Sequence, residues 1–179
     1  MKTTNYARKE SDQLKDIVSM LEGRVFHVTR HSSYAHIVAC GEVRTNRDGA
    51  LASGFGYRNS FFRRHDCVSL FDYRKEPTLE ILACREQCWP FMFWEVGGEE
   101  VVILIFKREI EPHLILWTYW KGKKRPDERI VPDVEVGHRG PIRIAMVEEV
   151  IVLACVEDPT SPAALVRQAL KGPDAKLVI

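Results

Sequence analysis

The run "VVILIF", Val101 to Phe106, holds six consecutive apolar residues with no polar one in alternation. A strand with one wet face alternates in character, so an unbroken run of this length reads as a central strand covered on both sides. A chain built around it has to supply cover for both faces of a sheet. Further β-type runs are "RVFHVT" (Arg24 to Thr29), "CVSLFDY" (Cys67 to Tyr73), "HLILWTYW" (His113 to Trp120), Ile130 to Val136 and Val150 to Val156. The segment "FMFWEVGGEEVVILIF" reads as a hairpin turning at Gly97-Gly98.

Helices are expected mostly early. Leu14, Ile17, Val18 and Leu21 recur at helical spacing before the stop Gly23, within an N-terminal helical region over 1–22. Ser32 or Ser33 is placed to cap a short helix carrying Tyr34, Ile37 and Val38 and closed by Gly41. Pro77 to Cys84 reads as another helix. Ser161, Pro162 and Gly172 punctuate a last one over 160–172. Glu42 to Arg64 shows no sustained periodicity and reads as a long loop. Helices without regular alternation with strands favour an α+β domain with a split or mixed β-sheet, a single unit over 1–179.

Charge and targeting signals narrow the partners. The 26 Lys and Arg against 25 Asp and Glu give a net charge of +1, which removes any bulk-charge case for nucleic acid or an anionic membrane. "EVVILIFKREIEPHLILWTYW" is cut by "KREIEPH" into runs too short to span a bilayer, and the first residues have no signal-peptide core. Five scattered cysteines, an odd number without an export signal, read as reduced thiols of a cytoplasmic protein. Cys84-x-x-x-Cys88 lacks a second ligand pair, and His27, His31 and Cys40 lack ligand spacing, so no metal is expected. No Walker loop, G-x-G-x-x-G or G-x-S-x-G occurs. Glu148 and Glu149 read as a solvated turn, and "KGKKRPDER" as a solvated loop.

His27 sits inside an apolar strand, where a histidine is either a hydrogen-bonded core residue or a ligand-handling one. Val25, His27 and Thr29 share one strand face, and Phe26 and Val28 the other. Three pieces come in order along the chain: His27-Val28-Thr29 with the helix ending at Gly41; Val68-Ser69-Leu70 after the basic pair Arg63-Arg64; and "IVPDVEVGHRGPIRIAMVEEVIVL", with Glu135 in a late strand.

This order resembles the ADP-ribosyltransferase superfamily, and within it is most similar to DarT-like DNA-modifying toxins and, more distantly, to RNA 2′-phosphotransferases. The resemblance implies transfer of ADP-ribose from NAD, as substrate, with release of nicotinamide. It implies Glu135 as the catalytic carboxylate, His27, Thr29 and Ser69 toward NAD, and the pair before the middle strand as Arg64 in catalysis and Arg63 on the cofactor. Which of Arg58, Arg63 and Arg64 would meet the pyrophosphate stays open. Asp133 stands two residues before Glu135, where the arginine-modifying branch has Glu, so the acceptor is left among DNA, RNA and protein. The other reading is a non-catalytic module binding a nucleotide, nucleic acid or protein on the same scaffold.

Overall fold

A computed structural model describes residues 1–9, 15–51, 60–87, 100–156, 158–161, 164–166 and 168. Among them a seven-stranded sheet runs in the order β1-β9-β5-β2-β4-β7-β6, and a two-stranded ribbon joins β3 to β8. The strands are β1 (Lys2–Lys9), β2 (Val25–Arg30), β3 (Glu42–Val43), β4 (Cys67–Asp72), β5 (Val101–Phe106), β6 (Leu114–Ile115), β7 (Glu135–Arg139), β8 (Ile142–Arg143) and β9 (Val147–Val156). Helices α1 (Lys15–Leu21), α2 (His31–Cys40), α3 (Phe61–Arg64), α4 (Leu79–Gln87) and α5 (Trp117–Trp120) lie between them. Among the named strands only β1 and β9 pair in parallel and the other pairings are antiparallel, which makes the fold α+β.

The unbroken apolar run behaves as expected. All six residues of β5 are buried, between β9 and β2. Phe26, Val28, Phe71, Ile103 and Ile105 pack on one face with Ile17 and Leu21 of α1. Val25, Val68, Leu70, Val102 and Leu104 pack on the other, against Tyr34 and Ile37 of α2 and the ribbon residues Val43 and Ile142. Each such side chain contributes roughly 1.5–3 kcal/mol on burial, so both layers are needed to hold β5 in place. Phe61 and Phe62 of α3 form a smaller cluster with Trp120 and Cys67.

Several boundaries differ from expectation. The first residues are not helical: Lys2–Lys9 form an edge strand, and the helix is confined to Lys15–Leu21 before Gly23 (φ +71). Helix α2 begins at His31, after an extended Arg30 and without a side-chain cap, so neither Ser32 nor Ser33 starts it; Gly41 (φ +74) ends it as expected. The supposed long loop carries β3 and α3. Helix α4 starts two residues later than Pro77, where the Thr78 hydroxyl accepts the Ile81 N–H at 3.3 Å.

His113 to Trp120 is not one strand. The run divides into the two-residue β6 and the turn-like α5, in which the Trp120 indole N–H donates to the Ile115 carbonyl at 3.1 Å. Residues 130–134 are not strand, and 132–134 form a turn, so β7 begins only at Glu135. Glu148 and Glu149 lie within β9 and meet Arg24 at 3.0 and 3.8 Å. The Ser161 hydroxyl accepts the Ala164 N–H at 3.0 Å, consistent with a cap, and 164–166 are helical. The Gly97-Gly98 hairpin, Arg58, Leu14, Cys88 and residues 162–163, 167 and 169–172 lie outside the described residues.

Candidate functional site

The strands carrying His27, Ser69 and Glu135 are neighbours, in the order β2-β4-β7. Strands β2 and β4 pair only at Val25–Asp72 and Phe26–Phe71, with Arg24 and Tyr73 continuing the ladder below. Above Phe26 the two part company: β2 continues along β5 to Arg30, and β4 continues along β7 to Cys67. At that opening the His27 ring replaces the missing ladder contact. Its Nδ1–H donates to the Ser69 carbonyl at 2.9 Å. A carbonyl only accepts, so the neutral ring carries its hydrogen on Nδ1 and leaves Nε2 as an acceptor. Burial holds the imidazole below its ordinary value, against the opposing pull of the Ser69 carbonyl.

Ser69 also uses its side chain. The hydroxyl donates to Glu135 Oε1 at 3.1 Å, while the Val131 N–H donates to Oε2 at 2.6 Å. The Glu135 N–H in turn donates to the Val131 carbonyl at 3.0 Å, so the turn before β7 grips this residue by both backbone and side chain. Asp133, at the middle of that turn, is left-handed (φ +58), and its carboxylate meets Lys75 at 2.8 Å. It therefore lies in the turn before β7 and not on a strand face with Glu135. Burial pushes the Glu135 carboxyl up to about 7, and the bonds from Val131 and Ser69 only partly offset it. A carboxyl titrating there exchanges a proton near neutrality, which suits acid–base or electrostatic work.

The pleat separates the three residues. Cross-strand partners share a face. Phe71 pairs with Glu135 and Ser69 with Gly137, so Ser69 and Glu135 project to the Phe71 side. His27 pairs with Leu104, and Thr29 with Val102, which belong to the opposite face. His27 thus reaches Ser69 through its main chain, whereas Glu135 reaches it through its side chain. Thr29 is buried on the His27 side. The Ser69–Glu135 pair is backed by Gly137, over which the Phe62 ring lies so closely that no Cβ fits.

The basic pair does not join this group. The Arg64 guanidinium bonds Asp127 at 2.7 Å and lies 3.7 Å from Glu128, and that of Arg63 rests on Gly49. An open cavity of about 510 Å³ lies beside β6, lined by Leu114, Ile115, Leu116, Thr118, Tyr119 and Arg139. A second, of about 290 Å³, lies below β2 and β5 and includes Arg24 and Lys107. Neither is lined by His27, Ser69 or Glu135. Among the described residues no group of three or more His, Cys, Asp and Glu is arranged to hold a metal ion, and no helix is long and apolar enough to cross a membrane.

Sequence reading had no means of finding the Val131 amide, since a backbone donor leaves no mark in residue identity. Phe62 carried a faint signal, as one of two adjacent phenylalanines before a strand. Compared with protein-family models, with curated proteins and with solved structures, the chain matches none.

Proposed function

We propose that the chain transfers ADP-ribose from NAD to a nucleic-acid or protein acceptor, with Glu135 as the carboxylate at the reacting ribose. The observation that carries this reading is the Ser69–Glu135 hydrogen bond between neighbouring strands, flanked by the strand of His27. Breaking the nicotinamide–ribose bond builds positive charge on the ribose, as in glycoside hydrolysis. A fixed carboxylate holds a ribose hydroxyl and stabilises that charge. Two donors fix Glu135 before substrate arrives, and its proton is lost near neutral pH. The ionised form is the active one, so turnover rises with pH through about 7.

The second reading, a non-catalytic binding module, is favoured by the register that turns His27 away from the Ser69 hydroxyl. Nicotinamide release from NAD, followed for wild type, Glu135→Gln and His27→Ala, separates the two. Release by wild type, abolished in folded Glu135→Gln, supports the transferase. Well-folded wild type that neither binds NAD nor releases nicotinamide overturns it.

A further inference from the structure

Every residue from 121 to 129 is exposed except Glu128, whose side chain is only 2 % exposed. Its Oε2 accepts the Arg125 N–H at 2.9 Å, and its own N–H donates to the Arg125 carbonyl at 3.1 Å. Side chain and main chain therefore close the same four-residue turn. Oε1 faces α3, 3.7 Å from Arg64 Nη1 and 3.8 Å from His65 Nε2.

Burying a carboxyl in a loop with water on hand is costly unless its bonds are answered. What the burial holds in place lies just downstream. The Arg129 carbonyl accepts the Phe61 N–H at 3.0 Å, and Ile130 packs with Phe61, Phe62 and Trp120. The next N–H is that of Val131, which donates to Glu135 Oε2 at 2.6 Å. Only Arg129 and Ile130 thus separate the buried carboxyl from the amide that holds Glu135. Helix α3 braces the other side as well, since Phe62 lies over Gly137 two positions beyond Glu135. The Arg64–Asp127 pair is exposed and contributes little, so the buried Glu128 is the firmer tie.

We propose that Glu128 is a positioning residue for Glu135: by closing the 125–128 turn against α3, it sets the Val131 N–H on Oε2. It touches neither Glu135 nor a reacting atom, and acts through the main chain of 129–131. The inference rests on Glu135 as the working carboxylate, yet the geometry it concerns exists without NAD. A hydrogen bond weakens steeply as its angle closes, so a small displacement of the amide leaves Oε2 a donor short. Among the described residues the Ser69 hydroxyl and the Val131 N–H act on this carboxyl, and no charged side chain does.

The Val131 amide proton of 15N-labelled protein reads the contact directly, with no NAD present. In wild type its resonance moves as Glu135 ionises, with a midpoint of about 7. Glu128→Ala cuts the amplitude of that titration to about half or less and speeds solvent exchange of this amide about tenfold. Glu128→Gln keeps an oxygen within reach of the Arg125 N–H and restores both. Should Glu128→Ala fail to fold, Glu128→Asp, one methylene short of that N–H, takes its place with the same expectation. A merely structural anchor lowers the melting temperature and leaves the Val131 titration as in wild type; that result in the folded variant overturns the inference. Wild-type protein that releases no nicotinamide strikes the transferase and leaves the Val131 result standing.

Discussion

The Ser69 hydroxyl donates to Glu135 Oε1 at 3.1 Å, although the two residues are 66 positions apart in the chain. Phe71, not Ser69, stands directly opposite Glu135 across the ladder, so this bond runs diagonally along one sheet face. Its acceptor is a carboxyl that burial has brought to titrate at about 7.

Glu135 makes stability depend on pH in a definite direction. Its folded value of about 7 lies above the ordinary 4.5, so the folded state retains the proton longer than the unfolded chain. That contribution is complete below about pH 4.5 and is lost as pH rises to about 7, a change of about 3 kcal/mol. Urea unfolding across this range should show that slope, and Glu135→Gln should flatten it.

Ser69→Ala removes a bond that pulls the Glu135 value down. The carboxyl then titrates higher than in wild type, and the pH midpoint of any Glu135-dependent activity moves upward. A carboxyl-selective NMR titration of both proteins measures this. An unchanged or lowered midpoint contradicts the assignment.

His27 works in the opposite sense. Its folded value lies below the ordinary 6.5, so its stabilising contribution is present above that value and fades as pH falls. His27→Ala loses the bond to the Ser69 carbonyl and leaves a cavity, costing about 1–3 kcal/mol at pH 7.5. The deficit should shrink in acid, as chemical denaturation at two pH values will show.

Gly137→Ala places a Cβ 2.6 and 2.7 Å from two carbons of the Phe62 ring. That ring is only 1 % exposed and has no room to yield. The cost is about 1–3 kcal/mol, read as a lowered melting temperature. Because Gly137 pairs with Ser69, the substitution also disturbs the Ser69–Glu135 bond, and Glu135-dependent activity should fall with it.

Thiol labelling should discriminate among the cysteines. Cys67 is buried, and its thiol is pushed up to about 11, whereas Cys40 is exposed. A disulfide reagent at pH 8 modifies Cys40 rapidly and leaves Cys67 unreacted until the protein unfolds.

The sequence by itself determined the parts in which burial is written into local composition. "VVILIF" has no polar alternative and became the enclosed β5; Gly23 and Gly41 stop helices because a left-handed residue there favours glycine. It also marked His27, Ser69 and Glu135, whose strands prove adjacent. Tertiary structure alone decided which way these residues face. The β2–β4 ladder parts after Phe26, and the left-handed Asp133 turn delays β7 until Glu135, so pairing register sets the side-chain directions. Register follows from contacts between distant segments, and a shift of one residue reverses every face, which no local pattern encodes. The burial of Glu128 belongs to the same category: Glu128 is one of several charged residues in "KGKKRPDER", and only packing against α3 removes it from water.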